Sequence, residues 1–407
     1  MKVNIRRGAN EIGGSAVEIT AHNGDRIVLD IGMPLDAKEN TPDLLPDIRG
    51  LRDKTDDLLA VLISHGHGDH YGLGKWLDER IPIYMSDAAA QIIRAQRDYM
   101  KKRNNKTDCF AFDKTHPLTD RKPVTIGPFK ITPYAVDHAA YESFAFLVEA
   151  DGKKLFYTGD FRAHGRTAGR TNKLMRNPPR DVDVMLMEGS SLERLNPDQH
   201  FETEADLESK FAKIFTDTPG LAMVHQSSQN IDRIVSVFRA ALKTGRTLVL
   251  MPYTGLVLMR TENKKLPNFT WNGVKKICET PRKSHEISAT DIAQAPNKYV
   301  CIIGCNTSQL QSAGLLNPSS AYIYSMWAGY RKDFAEKTVN TMTEHNVRMH
   351  NVHTSGHADI PTLRTMVAAI SPRILVPIHT FRPEMFEKLF GDLATTQMHA
   401  NNTEFEV

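Results

Sequence analysis

Ser64-His65-Gly66-His67-Gly68-Asp69-His70 follows directly on the apolar run Ala60–Ile63. The run reads as the end of a buried strand and the heptapeptide as the loop leaving it. Four side chains able to bind a metal, His65, His67, Asp69 and His70, fall within six residues. Two glycines between them let the backbone turn sharply enough to bring the four together, with Asp69 and His70 opening a helix. Without a cation, so many polar groups would compete for the same partners. Imidazole and carboxylate donors of this kind suit Zn²⁺, and Mn²⁺ uses many of the same groups.

Three further stretches place ligand-type residues at the ends of strand-like runs. They are Val136-Asp137-His138, Tyr157-Thr158-Gly159-Asp160-Phe161 and Ile374-Leu375-Val376-Pro377-Ile378-His379. A carboxylate such as Asp160 can bridge two cations about 3.5–4 Å apart, the spacing used in two-metal hydrolysis. Alone, His138 or His379 would read as a structural histidine. Beside the first motif, both read as ligands.

Around these motifs the first 190 residues alternate short β-rich runs with turn residues. Such runs are Ser15–Thr20, Arg26–Leu29, Phe129–Val136, Ser143–Val148 and Lys154–Tyr157, with helices at Tyr71–Glu79 and Asp87–Lys102. From about Leu192 the pattern becomes alternating helix and buried strand: Thr203–Asp217, Asn230–Thr244, Thr247–Pro252 and Tyr299–Gly304. That alternation predicts a parallel sheet. Short strands return at Val347–Val352 and Ile374–Ile378, so the expected architecture is a β-rich domain interrupted by an inserted α/β domain and then resumed.

With 407 residues, 41% hydrophobic and 24% charged, the chain is no disordered tail and can bury a large core. Lys+Arg outnumber Asp+Glu by 51 to 48, so charge alone demands no polyanionic partner. Two basic stretches nevertheless stand out: Arg94, Arg97, Lys101, Lys102, Arg103 and Lys106, and Lys264, Lys265, Lys275, Lys276, Arg282 and Lys283 around Trp271. Each reads first as a solvated face. No run of about 18 apolar residues suggests a membrane span. The start MKVNIRRGANEIGG has no apolar leader. Four scattered cysteines read as reduced thiols, so the expected location is cytoplasmic, with no membrane partner.

The set HGHGDH, VDH and TGD, with Leu29-Asp30-Ile31-Gly32 upstream, resembles the metallo-β-lactamase superfamily. Met187-Glu188-Gly189-Ser190-Ser191, Thr354-Ser355-Gly356-His357-Ala358-Asp359 and Pro377-Ile378-His379 resemble the extra motifs of its β-CASP nucleases. Within these, Glu11–Ser15 (EIGGS), Gln229–Ile234 (QNIDRI) and Ser355–Asp359 (SGHAD) are most similar to the ribonuclease J group. The resemblance implies an α/β fold. A metallo-β-lactamase αββα sandwich, residues 1–191 and 346–407, would carry an inserted β-CASP domain, residues 192–345, closing over the metal centre. The sequence ends at Val407, so the separate C-terminal domain of typical ribonuclease J chains is expected to be missing.

Carried over residue by residue, the resemblance implies two Zn²⁺. One is held by His65, His67, His138 and Asp160, the other by Asp69, His70, Asp160 and His379, with Asp30 orienting ligands from behind. Glu188 and His357 would form an acid/base relay, with Asp69 also in the catalytic set. Ser228, Gln229 and Asn230 align with a terminal-phosphate loop, and His353, Thr354, Ser355 and Gly356 make a second phosphate cradle. Asp232 stands where ribonuclease J-like chains carry His, and a carboxylate there disfavours a phosphate unless Arg233 or a loop cation offsets it. The implied activity is metal-dependent hydrolysis of single-stranded RNA, endonucleolytic and/or 5′–3′ exonucleolytic, by hydroxide formed between two cations, leaving 5′-phosphate and 3′-hydroxyl ends. His379 points to RNA, since DNA-repair members tend to carry an aliphatic residue there. A small-molecule hydrolase of lactonase or thioesterase type, a DNA nuclease, a silent RNA-binding subunit, and a monomer or a homodimer all stay open at this point.

Overall fold

The structure is a computed structural model describing residues 1–103, 109–194 and 196–407; Lys106 of the first basic stretch lies outside the described residues. The chain forms two compact units, one of Met1–Phe201 with Gly356–Val407, the other Glu202–Ser355.

The first unit holds two seven-stranded sheets. In one, Glu404–Glu406, Lys2–Arg7, Ala16–Thr20, Arg26–Leu29, Leu58–Leu62, Ile83–Met85 and His116–Pro117 lie side by side. In the other the order is Thr395–Thr396, Ile374–Ile378, Val184–Glu188, Lys153–Tyr157, Ser143–Ala150, Phe129–Val136 and Val124–Ile126. Strand periodicity of two sorts the side chains. Val3, Ile5, Val17, Ile27, Leu29 and Leu62 meet Phe129, Ile131, Phe144, Phe146, Leu155 and Val376 in the core between the sheets. The outer face of the second sheet buries Val136, Phe156, Met185 and Met187 with Leu174, Leu363, Val367 and Phe386 from three helices. The outer face of the first packs Val28, Val61 and Ile83 against Ala89, Ala90 and Ile93 of the helix Asp87–Lys102. Its N-cap, Ser86, accepts from the Ala89 N–H. Helices outside two facing sheets are the αββα sandwich the resemblance implied.

Three local readings change. The helix read at Tyr71–Glu79 is a single turn, Gly68–Tyr71, continued as a 3₁₀ segment Gly72–Trp76. Gly72 and Gly74 are poor helix formers, and a Cβ at Gly74 would meet the Phe112 ring at 2.4 Å, so the tight turn is set by packing. Arg94 and Arg97, read with a basic face, are engaged locally: Arg94 Nε donates to Phe112 O at 2.8 Å and Arg97 pairs with Asp113 at 2.6 Å. In the second basic stretch, read as a solvated face, Val274–Ile277 is a strand and Trp271 packs on Phe238 with ring centres 5.6 Å apart.

The second unit is a seven-stranded parallel sheet, ordered Glu286–Ile287, Val274–Ile277, Thr247–Leu250, Tyr299–Ile303, Ala222–His225, Ala321–Tyr324 and Arg348–Asn351. The helix Glu204–Thr216 starts in a capping box between Thr203 and Asp206, and Asn230 caps Ile231–Lys243. The strand Arg348–Asn351, expected to resume the first domain, instead pairs with Ala321–Tyr324. At the other boundary, the His200 ring (3.0 Å) and the Phe201 N–H (3.2 Å) both bond Asp359 Oδ2, keeping residues up to 201 on the first unit. The units therefore divide after Phe201 and Ser355, later than the sequence boundaries at 191 and 345. Among the described residues, no helix is long and apolar enough to cross a membrane.

Candidate metal centre

Every ligand-type residue read from the motifs reaches one place in the first unit, at the ends of strands from both sheets. The strand Leu58–Leu62 delivers His65 and His67, and the turn Gly68–Tyr71 delivers Asp69 and His70. His138, Asp160 and His379 follow the strands Phe129–Val136, Lys153–Tyr157 and Ile374–Ile378. Their donor atoms form two groups, His65/His67/His138 and Asp69/His70/Asp160/His379, each within 4.8 Å internally.

Asp160 Oδ2 faces both groups. It lies 3.8 Å from His65 Nε2 and 4.0 Å from His138 Nε2 on one side. On the other it lies 3.2 Å from His70 Nε2 and 3.6 Å from His379 Nε2. Asp69 Oδ2 completes the second group at 3.9 Å from His70 Nε2 and 3.8 Å from His379 Nε2.

The residues behind these side chains fix their rings. His70 Nδ1–H donates to Asp30 Oδ2 at 2.8 Å, His138 Nδ1–H to Gly356 O at 2.7 Å, and His379 Nδ1 meets Ser15 Oγ at 2.9 Å. With Nδ1 of His70 and His138 donating outward, their Nε2 atoms face the centre, while His379 Nδ1 also accepts from the Gly13 N–H at 3.3 Å. His65 Nε2, His70 Nε2, His379 Nε2 and Asp160 Oδ1 are buried and find no hydrogen-bond partner. Orphaned buried atoms of this kind are rare and costly, and here they converge. A divalent cation, taking nitrogen and oxygen donors, fits them.

Electrostatics agree. Burial pushes His65 and His138 well below the ordinary imidazole range, keeping both neutral. Burial pulls His70 down too, but Asp160, Asp30 and Asp69 outweigh it and hold it well above that range. Asp160 stays ionised despite burial because His379, His70 and His357 surround it. The carboxylates draw positive charge to the centre, whereas burial disfavours it on His65, His67, His138 and His379.

Asp30 lies behind His70, at φ +60. It accepts from the Ser64 N–H and Oγ, both at 2.7 Å, and from Tyr157 OH at 2.7 Å. Tyr157, Ser15 and Ser64 were not singled out as site residues. Only the sheet-to-sheet approach reveals them, since a tyrosine ending a strand carries no local signal. His379 is also left-handed, at φ +53, and such strain in non-glycine residues clusters at functional sites.

Glu188 and His357, separated by 169 positions, form a pair: His357 Nδ1–H donates to Glu188 Oε2 at 2.8 Å. Glu188 Oε1 also accepts from the Phe161 N–H at 2.8 Å. Burial lowers the His357 pKa, but the Glu188 and Asp160 carboxylates outweigh it and hold the ring above its ordinary value. Its Nδ1 lies 3.7 Å from Asp160 Oδ2, so the pair adjoins the metal groups.

The phosphate-binding readings fall in the second unit, apart from Gly356. Ser228 Oγ bonds Thr254 Oγ1 at 2.8 Å, Gln229 Nε2 donates to Tyr253 OH at 3.0 Å, and Asn230 caps its helix. Thr354 Oγ1 donates to Glu202 O at 2.6 Å, and His353 is exposed while Ser355 is buried. Arg233, the residue looked to for offsetting Asp232, is buried and spent on Glu204 at 2.9 Å and on Ser325. It is no counter-ion for a bound phosphate.

Comparison with known families matches residues 26–224 to a beta-lactamase superfamily domain and residues 344–389 to a Zn-dependent metallo-hydrolase RNA specificity domain. By these matches the chain is similar to the metallo-β-lactamase superfamily and to its RNA-specific metallo-hydrolases. Among its relatives, Ribonuclease J of Sinorhizobium meliloti is 24% identical over 83% of this chain and 60% of its own length. Ribonuclease J of Mycoplasma genitalium is 23% identical over 91% of this chain and 66% of its own. The chain thus spans less than two thirds of the length of these curated relatives. A crystal structure described as a protein of unknown function from Enterococcus faecalis V583 shares the fold, with TM-score 0.81, 21% identity and 99% of each chain covered.

Proposed function

We propose that this chain is a metal-dependent ribonuclease acting on single-stranded RNA, with two divalent cations, Zn²⁺ or Mn²⁺, held by the seven ligands above. The observation that carries the reading is the single atom Asp160 Oδ2, facing both donor groups beside the Glu188–His357 pair. His65, His67, His138 and Asp160 would hold one cation; Asp69, His70, Asp160 and His379 would hold the other. When bound, such cations screen a phosphodiester and lower the pKa of water, so that a hydroxide nucleophile is available near neutral pH.

The protein's own groups do the rest. His357, held by Glu188 through Nδ1 and adjoining Asp160, is placed to deliver a proton to the departing 3′-oxygen, a poor leaving group unless protonated. Glu188 fixes the ring and stabilises its cationic form. Asp30, Tyr157 and Ser15 hold ligand rings in place, so no reorganisation is needed when charge develops. The products carry 5′-phosphate and 3′-hydroxyl ends. The ribonuclease J relatives and the RNA specificity match support RNA over DNA or a small ester.

The test uses matched RNA and DNA strands with 5′-phosphate or 5′-hydroxyl ends, incubated with Zn²⁺, Mn²⁺ or EDTA. Metal-dependent cleavage confined to RNA is expected, and the product ladder separates internal from end-in cutting. Turnover of a lactone or thioester with every strand left intact would replace this reading.

A further inference from the structure

Trp327, Tyr330 and Phe334 are 46%, 48% and 61% exposed. Single exposed apolar residues are ordinary. Here three of the largest crowd into Trp327-Ala328-Gly329-Tyr330-Arg331-Lys332-Asp333-Phe334, and a contiguous patch marks an interaction surface.

The segment is held in shape. Tyr324 OH donates to Trp327 O at 3.0 Å, the Tyr330 N–H to the same oxygen at 3.1 Å, and the Phe334 N–H to Tyr330 O at 3.1 Å. Cys305 Sγ–H donates to Phe334 O at 3.3 Å, and the next residue, Ala335, is fully buried. The Trp327 and Tyr330 rings meet edge to face, 5.2 Å apart. A Cβ on Gly329 would come within 2.3 Å of the Trp327 ring, so glycine lets the indole lie flat on the backbone. Cations are interleaved: the Arg331 guanidinium stands 5.9 Å from the Tyr324 ring, and Lys332 is exposed.

Topology places this segment with the two loops read as phosphate-binding. It leaves the C-terminal end of Ala321–Tyr324, whose neighbours Ala222–His225 and Arg348–Asn351 run parallel to it, in register at His225, Tyr324 and Asn351. Gln226–Asn230 and Val352–Ser355 therefore emerge at the same end of the sheet, where ligands of open parallel sheets gather.

We propose that Trp327, Tyr330 and Phe334, with Arg331 and Lys332 between them, form a stacking platform for the unpaired bases of single-stranded RNA. This rests on the ribonuclease reading above and gives it a sequence-tolerant grip on substrate. Every base has a π-face for the rings, and the two cations meet the backbone that joins the bases. A protein partner fits less well, because lysine inside an apolar run is depleted from protein interface cores. Duplex RNA keeps its bases stacked and offers the rings nothing.

The test is fluorescence anisotropy of the full chain with a labelled single-stranded RNA in EDTA, so that binding is read without cleavage. Trp327→Ala, Tyr330→Ala and Phe334→Ala are each expected to weaken binding about 5- to 100-fold. Trp327→Phe should recover most of the affinity, and a duplex of the same sequence should be insensitive to all of them. Circular dichroism and metal content should match the parent chain. Unchanged affinity in all three alanine variants, with the parent binding RNA normally, overturns the platform and leaves the ribonuclease reading standing. A parent chain that neither binds nor cleaves RNA overturns both. Loss of self-association in the variants, with RNA affinity intact, assigns the face to a second copy and overturns the platform.

Discussion

Asp160 concentrates the chemistry in one carboxylate. Its Oδ2 is within 4.0 Å of donor nitrogens on both sides, and its Oδ1 is buried without a partner. Asp160→Asn keeps the shape and removes the charge, so both cation sites are expected to weaken together, with metal content and RNA cleavage both lost. Retention of two tightly held cations would contradict the shared role. Tyr157→Phe removes only the hydroxyl on Asp30. By analogy with other residues that support metal ligands, cation affinity is expected to fall about 10-fold, read by competition with a chromophoric chelator. His357→Ala should behave differently: cleavage falls about 10²–10⁴-fold while metal content stays that of the parent. A variant that cleaves normally would remove His357 from the mechanism.

At the scale of elements, the ligand loops are tied together by a buried clamp. Asp137 and Arg162 are both fully buried, and Arg162 Nε meets Asp137 Oδ1 at 3.3 Å. Asp137 also accepts from the Gly165 N–H at 2.7 Å and from Thr167 Oγ1 at 2.8 Å. The Asp137 N–H donates to Thr171 Oγ1 at 2.8 Å, whose hydroxyl donates to Arg162 O at 2.7 Å. These bonds join the loop carrying His138 to the loop carrying Asp160. Asp137→Ala removes a buried ionic partner of Arg162 and is expected to cost about 3–5 kcal/mol, measured by urea unfolding. In the second unit, His225 ends its strand buried, Nδ1 bonded to Tyr322 OH at 2.6 Å, with burial lowering its pKa to about 4. The folded state keeps this ring neutral, so the unfolded chain takes up a proton first as pH falls. Its contribution is whole above about pH 6.5 and is lost towards pH 4, a loss of roughly 3 kcal/mol. His225→Gln should flatten the decline in urea midpoint between pH 7 and pH 5; an unchanged slope would show that other groups set it.

Across the whole molecule, all seven candidate metal ligands lie in the first unit, drawn from residues 65 to 379, whereas the second is a complete sheet of its own. Cation binding is therefore linked to the stability of the first unit by mass action. Adding Zn²⁺ or Mn²⁺ to the stripped protein is expected to slow hydrogen exchange at Ser64–Tyr71, Val136–His138 and Thr158–Phe161. Exchange in the strands of Glu202–Ser355 should be unaffected, and equal protection in both units would contradict that division.

Much of this molecule was legible in the linear chain because its chemistry is written in short motifs. His65, His67, Asp69 and His70 lie so close in sequence that one strand end must present them together, and the αββα layering was legible only through the family resemblance those motifs carry. Unit boundaries were less legible. Arg348–Asn351 reads as a strand in either unit, and only its pairing with Ala321–Tyr324 assigns it, because strand propensity carries no partner information. The same limit hid Tyr157 and Ser15, whose roles exist only where two sheets bring them to Asp30 and His379. It also made Arg233 look like a phosphate counter-ion when burial had already committed it to Glu204. Residue type and spacing determined which groups can bind a cation. Tertiary packing alone decided which atoms converge, which are consumed by a neighbour, and which aromatic rings are left facing solvent, because those outcomes depend on contacts between residues far apart in the chain.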